Sequence, residues 1–456
     1  MGIKNTDIVI IGSGILGTTL SYIISSLSNA KIVLIDQENK VAYHTSSRNT
    51  GKVHAPFIYD PEKKKVFAKA ALFGYMFWNN YCNIKKICFK EDGIIEVAND
   101  DKGTQTIYKH FKWGIDNGLE KKDIQILEKK EVEKFEPNVR CQTAIFCKKD
   151  ASVDYGEITN SLAIDAIKNK VDVILQAKVN KITINQQLSN KISIRYGQFT
   201  NGDAEKEIKC NFLINAAGGS ALCLLNNLNP WLGYKNLYFR GEYWIAPSKY
   251  KNLTNRSIYS VPKFHKFPFL DPHWIIRTNG NREIGPNACL VFSQYGYDSK
   301  TNLKEFFPKI YEFVKGSKIK KIKNILFNKE ITELILKEML SSLSKTHMIN
   351  RVKKFLPSIK PSDFITKGTA GIRANLIDKD GNFVLNPLFL LSDSALHIIN
   401  YNSPGATGSF SIGFALFYKL VEKGIIKKDK EMDTHYFKEK LILDCIKEVD
   451  IILFKI

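Results

Sequence analysis

The sequence predicts an α/β fold in two parts, a nucleotide-binding domain assembled from separated stretches of chain and a mostly antiparallel α+β domain inserted into it. Three observations predict it: a strand, glycine turn and helix at the N-terminus, a second apolar strand that runs into small residues near residue 215, and alternating, aromatic-rich segments between residues 231 and 344. A chain of 456 residues is long enough for both parts, since a single hydrophobic core stops growing at about 250–300 residues.

Asp7-Ile8-Val9-Ile10-Ile11 is a short β-branched run that leads straight into Gly12-Ser13-Gly14-Ile15-Leu16-Gly17 and an apolar-periodic stretch through Leu27. A second such run, Lys31-Ile32-Val33-Leu34-Ile35, ends at Asp36. Strand, tight turn, helix, strand and terminal acid together make the full dinucleotide-binding pattern. Gly12 permits the turn, Gly14 lets the backbone approach a pyrophosphate, and Gly17 lets the helix pack closely on the strand. The phosphates would sit at the helix N-terminus, where unpaired N–H groups and the positive end of the dipole favour anions. Asp36 would accept hydrogen bonds from the ribose hydroxyls.

The second element is Phe212-Leu213-Ile214-Asn215-Ala216-Ala217-Gly218-Gly219, an apolar strand ending in small residues. Such an ending suits a backbone that passes close to a cofactor, with a simple strand and turn as the alternative. Just upstream, 173–176 and 177–182 read as strands. Near the C-terminus an apolar strand from His397 ends in the small-residue loop Ser403-Pro404-Gly405-Ala406-Thr407, and an apolar helix from Phe410 to about Val421 follows. The inserted part contains Tyr238-Phe239-Arg240-Gly241-Glu242-Tyr243-Trp244-Ile245, the aromatic loop 264–269, and helical periodicity over Lys304–Val314 and Ile331–Lys345.

Composition narrows the class. An apolar fraction of 44% and a charged fraction of 25% are those of a folded, water-facing protein. The net charge of +21 could attract nucleic acid, an anionic membrane or acidic substrates. Its lysines are scattered without a block of like charge, so a solvated basic surface is expected and a nucleic-acid partner is not. The eight cysteines form no CxxC pair and the histidines do not cluster at zinc spacing, so no metal is expected. No secretion-type segment precedes the first strand, which reads as cytoplasmic.

The glycine pattern alone does not separate a flavin from a nicotinamide. The polar segment Thr45-Ser46-Ser47-Arg48-Asn49-Thr50-Gly51-Lys52-Val53-His54 follows the acidic strand where a flavoprotein chain runs beneath the pyrophosphate toward the ring. With it, Glu136–Val139, Ser152–Tyr155, Asn215–Gly219, Phe239–Tyr243, Phe267–Leu270, Ile284–Ala288, Gly371–Ala374 and Ser403–Thr407 resemble the FAD-dependent oxidoreductases of the D-amino-acid oxidase superfamily. Within it the chain is most similar to the L-2-hydroxyglutarate dehydrogenases and next to the malate:quinone oxidoreductases, over nearly its whole length. The Ser-Pro-Gly-Ala-Thr stretch has the form of the hydroxyacid enzymes, not the glycine-rich form of the amine oxidases.

The resemblance implies FAD in a discontinuous Rossmann-like domain of residues 1–85, 150–230 and 345–456, with a substrate domain of 86–149 and 231–344. It implies cofactor contacts from Ser46 and Ser47, from the Val179 backbone at the adenine, from Ala217 and Gly218, and from Pro404, Gly405, Ala406 and Thr407. The helix beginning in this last loop would point its N-terminus at the flavin, stabilising negative charge on the reduced ring.

Four residues are candidates on the substrate side. Arg240, in an aromatic strand, and Arg373, between Gly371 and Ala374, could each bind a carboxylate bidentately, a solvent-turned arginine being the alternative. His54 could be the base that takes a 2-hydroxyl proton, a structural histidine being the alternative. Tyr243, like Asn287, is a hydrogen-bonding candidate or a packing residue. His273 and His397 read as structural. The expected reaction is oxidation of an L-2-hydroxy dicarboxylate, 2-hydroxyglutarate or malate, to the 2-oxo acid, with electrons leaving to a quinone, oxygen or a carrier protein. An amino-acid or N-methyl-amino-acid oxidase is the alternative enzyme; a flavin scaffold or nucleic-acid-binding protein is the alternative from another class. The tail Leu441–Ile456 pairs an apolar side with lysines, as either an interfacial helix on the inner face of a membrane or a segment packed on the FAD domain.

Overall fold

A computed structural model of the chain describes residues 4–185, 191–198, 205–228, 233–262, 271–314, 329–431, 433 and 436–456. The Phe267–Leu270 match and the aromatic loop 264–269 lie outside these residues.

The N-terminal strand Lys4–Ile11 is the centre of a nine-stranded sheet. It runs parallel to Ile32–Ile35 on one side, with Ile8 opposite Ile32, and to Lys206–Asn215 on the other, with Ile8 opposite Phe212. Asp172–Ile174 extends the sheet beyond Ile32–Ile35, and Ala395–Ile399 extends it beyond Lys206–Asn215, both parallel. These strands are β-branched or apolar throughout because parallel strands are covered on both faces; Ile32–Ile35 and Ala395–Ile399 are buried at every position. On one face lies the helix Ile15–Leu27, packed against Tyr155–Lys168 and Gly405–Glu422. Its close approach needs glycine: a Cβ on Gly17 would stand 1.9 Å from the Gly12 carbonyl oxygen, and Gly12 itself has a φ of +105°. A further helix, Lys65–Lys85, packs on Gly405–Glu422 through a cluster of Phe77, Trp78, Tyr81, Phe410 and Phe414.

The rest is antiparallel with one exception. An eight-stranded sheet runs in the order 366–367, 244–245, 282–285, 273–276, 257–260, 94–98, 143–147 and 124–128, and only Ser257–Ser260 against Ile94–Ala98 is parallel. A three-stranded sheet, Cys289–Val291, Lys235–Gly241 and Gly371–Ile377, completes the strands around the site described below. The molecule is thus an α/β protein with a Rossmann-like sheet and a second, mostly antiparallel layer.

One local expectation needs correction, and two others gain detail. The C-terminal helix starts at Gly405, not Phe410. Gly, Ala, Thr and Ser are weak or middling helix formers, yet here the small residues allow contact with Lys65–Lys85, and packing overrides propensity. The periodicity over Ile331–Lys345 is borne out by the helix Lys329–Leu343, which ends where the Ser344 side chain accepts the His347 N–H and caps a second helix, Lys345–Lys353. The tail packs on the large sheet, the second of its two expected placements. Glu439–Glu448 buries Ile442 and Cys445 in the core, and Leu453–Lys455 then adds to the large sheet parallel to Leu388–Leu391. Leu443, Ile452 and Phe454 of the same segment remain exposed. No helix among the described residues is long and apolar enough to cross a membrane.

Candidate active site

The ends of the parallel strands open on a cavity of about 650 Å³. Its walls include Gly12, Gly14, Asp36 and Ser46 from the N-terminal unit and Val179 from the strand Ala177–Ile184. Ala217 and Gly218 come from the end of Lys206–Asn215, and Pro404, Gly405, Ala406 and Thr407 from the start of the C-terminal helix. Eleven residues expected at the cofactor therefore face one space.

Two helix N-termini meet this cavity. Neither Ile15–Leu27 nor Gly405–Glu422 has an acidic residue in its first turn, and neither has a side-chain cap from its own N-cap residue. Both positive ends are left for anionic groups of a ligand. Ser46 does more than line the wall: its Oγ accepts the Ile15 N–H at 2.9 Å, so it fixes the loop to the helix start. Asp36 Oδ2 accepts from the Ser13 N–H and Oγ, at 2.6 and 2.8 Å, and Oδ1 accepts from the Glu38 N–H. The acid thus rigidifies the glycine turn as well as presenting an oxygen to the cavity. Gly17 and Ser47 do not line it. Gly17 sits in the helix–strand contact, and Ser47 is turned to solvent with its hydroxyl donating to the His44 carbonyl.

Of the four substrate-side candidates, His54 and Arg373 reach the cavity; Arg240 and Tyr243 do not. Arg240 is neutralised where it stands. Its Nη2 lies 2.9 Å from Glu242 Oε1, and its Nη1 donates to the carbonyls of Gly296 and Tyr297. Asn287 holds that glutamate in place, accepting the Glu242 N–H and donating to Oε2. Tyr243 is buried under the Arg277 guanidinium, 5.1 Å from the ring centre. Arg373, half-buried on Gly371–Ile377, has no ion pair or side-chain hydrogen bond among the described residues.

His54 is held from several sides. Its N–H donates to Thr407 Oγ1 at 3.0 Å, linking it to the C-terminal helix start. Its ring meets Tyr259 edge-on, and Tyr259 is stacked on His273 at 3.6 Å. Nδ1 lies 3.8 Å from Asp150 Oδ2, while Nε2 has no hydrogen-bond partner among the described residues. Burial, then Lys52 and Arg373, push the His54 pKa down to about 3. Asp150, just beyond hydrogen-bond distance, does not offset them. The imidazole is therefore neutral, with the Nε2 position unclaimed by a described residue.

A profile of the family described as FAD dependent oxidoreductase, DAO, matches residues 7–418. The chain belongs to this family. Among curated relatives of this FAD dependent oxidoreductase, L-2-hydroxyglutarate dehydrogenase of Indibacter alkaliphilus is 30% identical over 410 residues, 89% of this chain and 96% of the relative. The mitochondrial L-2-hydroxyglutarate dehydrogenase of Bos taurus is 28% identical over 423 residues, covering 89% and 86%. In fold the oxidoreductase is similar to L-α-glycerophosphate oxidase of Mycoplasma pneumoniae with FAD bound, with a TM-score of 0.72, 20% identity, and 95% and 98% of the two chains covered. Glycine oxidase of Geobacillus kaustophilus follows at 0.66, 15%, 94% and 97%.

FAD is the family's cofactor and the residues fit it. The helix start at Gly14, where Ser46 takes only the first N–H, would hold the pyrophosphate, Asp36 the ribose and Val179 the adenine, and the helix start at Pro404–Thr407 would face an electron-rich ring. What sequence reasoning missed is the buried charge behind His54. Lys52, read only as part of the polar segment, has its ammonium 3.0 Å from Asp92 Oδ1 and 3.1 Å from Asp150 Oδ1, and donates to Ser152 Oγ. Nothing in the spacing of residues 52, 92 and 150 signals that they meet.

Proposed function

We propose that the protein oxidises an L-2-hydroxy carboxylate of the 2-hydroxyglutarate or malate type to the 2-oxo acid. The observation that carries this reading is the pair His54 and Arg373 lining one cavity: a neutral imidazole with an open nitrogen, and a guanidinium with no counter-ion among the described residues. FAD supplies the hydride acceptor. Arg373 binds the substrate carboxylate, and the planar fork fixes the orientation of C2. His54 Nε2 takes the hydroxyl proton. Binding also activates the base, because a carboxylate on Arg373 cancels one of the two cations that depress His54.

A second carboxylate needs a second cation, and Arg240 is already paired. Lys64, half-buried ahead of the helix Lys65–Lys85, has no ion-pair partner among the described residues. Its pKa is lowered by burial and by Arg373, which places the two cations within electrostatic reach of each other. Asp60 offsets part of that lowering, and Lys64 lies outside the cavity lining, so the far end of a dicarboxylate would have to extend past the wall to meet it. The curated relatives named L-2-hydroxyglutarate dehydrogenase favour the same class over the amine oxidases, whose likeness is one of fold. The electron acceptor is a quinone, oxygen or a carrier protein met at the surface.

The test is anaerobic mixing of the FAD-loaded protein with L-2-hydroxyglutarate, L-malate, glycine and sarcosine. Bleaching of the flavin band by a hydroxy acid and not by the amines is expected. Bleaching by an amine alone would replace this reading with the amine-oxidase one.

A further inference from the structure

Behind His54 the chain buries one ammonium and two carboxylates that the reaction above does not use. Lys52 and Asp92 are fully paired: the ammonium donates to Asp92 Oδ1 and to Ser152 Oγ, both at 3.0 Å, and Ser152 Oγ donates to Asp92 Oδ2 at 2.8 Å. The Lys52 side chain has no exposure to solvent. Burial opposes its charge, but Asp150 and Asp92 outweigh burial and keep its pKa above the ordinary lysine value. One carboxylate suffices to balance one lysine. Asp150, 1% exposed, is the carboxylate in excess.

Its two oxygens are unequally satisfied. Oδ1 lies 3.1 Å from the Lys52 ammonium but off the line a hydrogen bond requires. Oδ2 accepts one long bond, 3.3 Å, from the Ala55 N–H and otherwise faces His54 Nδ1. With a neutral imidazole the group Lys52, Asp92, Asp150 and His54 carries one negative charge too many for a buried site, and a single proton makes it neutral. The substrate hydroxyl supplies such a proton.

We propose that Asp150 is the positioning residue for His54, accepting its Nδ1–H and receiving a proton through the ring when Nε2 deprotonates the substrate. This rests on His54 being the base. The substrate O–H bond breaks as His54 Nε2–H forms, and His54 Nδ1–H breaks as Asp150 Oδ2–H forms; the O–H electron pair becomes the second C2–O bond as the C2 hydrogen leaves with its two electrons as hydride to the flavin of the proposed reaction. The 3.8 Å separation has to close by less than about 1 Å, as catalytic hydrogen bonds do on substrate binding. Imidazolium alone is a poor end point beside Lys52 and Arg373. Asp150 gives the proton a place where it cancels charge.

The groups facing His54 are Lys52, Asp92 and Asp150 on one side, and Tyr259, His273 and Arg373 on the other. Tyr59, Tyr75 and Tyr155, in the field of Asp150, have phenols raised by burial and stay neutral, as does the Cys147 thiol. Burial raises the Asp150 pKa to about 6 against the pull of Lys52. Below that value the relay already holds its proton, so flavin reduction should rise as pH passes upward through about 6.

The experiment is the pH profile of flavin reduction by L-2-hydroxyglutarate in wild type, Asp150→Asn, Asp150→Glu and His54→Gln, with FAD occupancy measured in each. Asp150→Asn should slow reduction at least about 10-fold and lose the limb near pH 6, with Asp150→Glu restoring part of both. Retention of the rate and the limb in Asp150→Asn, with reduction lost in His54→Gln, overturns the relay alone. Unchanged reduction in His54→Gln overturns the base assignment as well. Nitrogen-15 shifts of His54 in the wild-type holoenzyme decide the matter even if Asp150→Asn does not fold: an Nδ1-protonated tautomer is expected, and an Nε2-protonated one overturns the proposal.

Discussion

The two ends of the cavity are built on different plans. The part of the cofactor end that would hold pyrophosphate and ribose is local: Gly12, Gly14, Ser13 and Asp36 lie within 25 residues of one another in a single βαβ unit, and Asp36 hydrogen-bonds Ser13 directly, while Val179, Ala217 and Thr407 join the same wall from elsewhere. The substrate end is assembled from strands and loops far apart in sequence: Lys52 and His54, Asp92, Asp150, Tyr259 and Arg373. A pyrophosphate can be held by backbone N–H groups, so its site needs only a chain geometry that a short motif can encode. A proton transfer needs a pKa, and a pKa is set by whatever charges the fold brings near.

Substitutions at the two ends should therefore separate. The largest expected effect is at the cofactor end, where Gly14→Val should abolish FAD binding almost completely. A Cβ at Gly14 would meet only Ser46 Oγ, at 3.2 Å, so the chain tolerates the change while the branched side chain fills the phosphate's place. Flavin content after purification, with circular dichroism as the control for folding, is the measurement. Full occupancy in the variant would remove the cradle assignment.

At the other end His54→Gln should keep FAD and lower the flavin reduction rate by about 100-fold or more, the usual contribution of a positioned base. Loss of flavin together with activity would show that the two ends are not separable.

Arg373 and Arg240 sharpen the contrast within the substrate side. Arg373→Met should lower kcat/KM for hydroxy acids by about 10- to 100-fold, the scale of one charged hydrogen-bonding contact. Arg240→Met should leave kcat/KM within about threefold and lower the melting temperature instead, since it strands Glu242 in a partly buried ion pair. Reversed effects would return Arg240 to the site. Lys64→Met should raise KM for 2-hydroxyglutarate more than for a monocarboxylate such as lactate.

The smallest effect concerns the histidines. His397 belongs to the cofactor sheet, and burial lowers its pKa to about 4; its Nδ1 is satisfied by the Asn215 amide at 3.0 Å. Its folded pKa lies below the ordinary 6.5, so the unfolded chain binds more protons between these values. Stability should fall as pH drops from about 6.5 toward about 4, and His397→Phe should flatten that slope in thermal melts. Burial leads at His54 too, but there Lys52 and Arg373 add to it and one ring nitrogen has no hydrogen-bond partner among the described residues. A steeper acid slope in His397→Phe than in wild type would contradict the distinction.

By itself the sequence determined what depends on neighbours along the chain. The β-branched runs at 7–11 and 31–35, the glycines between them and the acid at 36 define strands, turn and ribose contact because each acts through its own backbone or the next element. The small residues at 216–219 and 404–407 marked close approach for the same reason. Which charged residues are free was decided only by tertiary structure. Arg240 and Arg373 occupy adjacent strands with Phe239 opposite Arg373, and each has a glycine within two residues in sequence. Glu242, Gly296 and Tyr297 claim the first, and no described residue claims the second. Likewise Lys52 and Asp150 are ordinary charges in sequence, separated by almost a hundred residues. Folding strips both of water beside His54, and in that low-dielectric setting the balance of a few buried charges decides which nitrogen can take a proton.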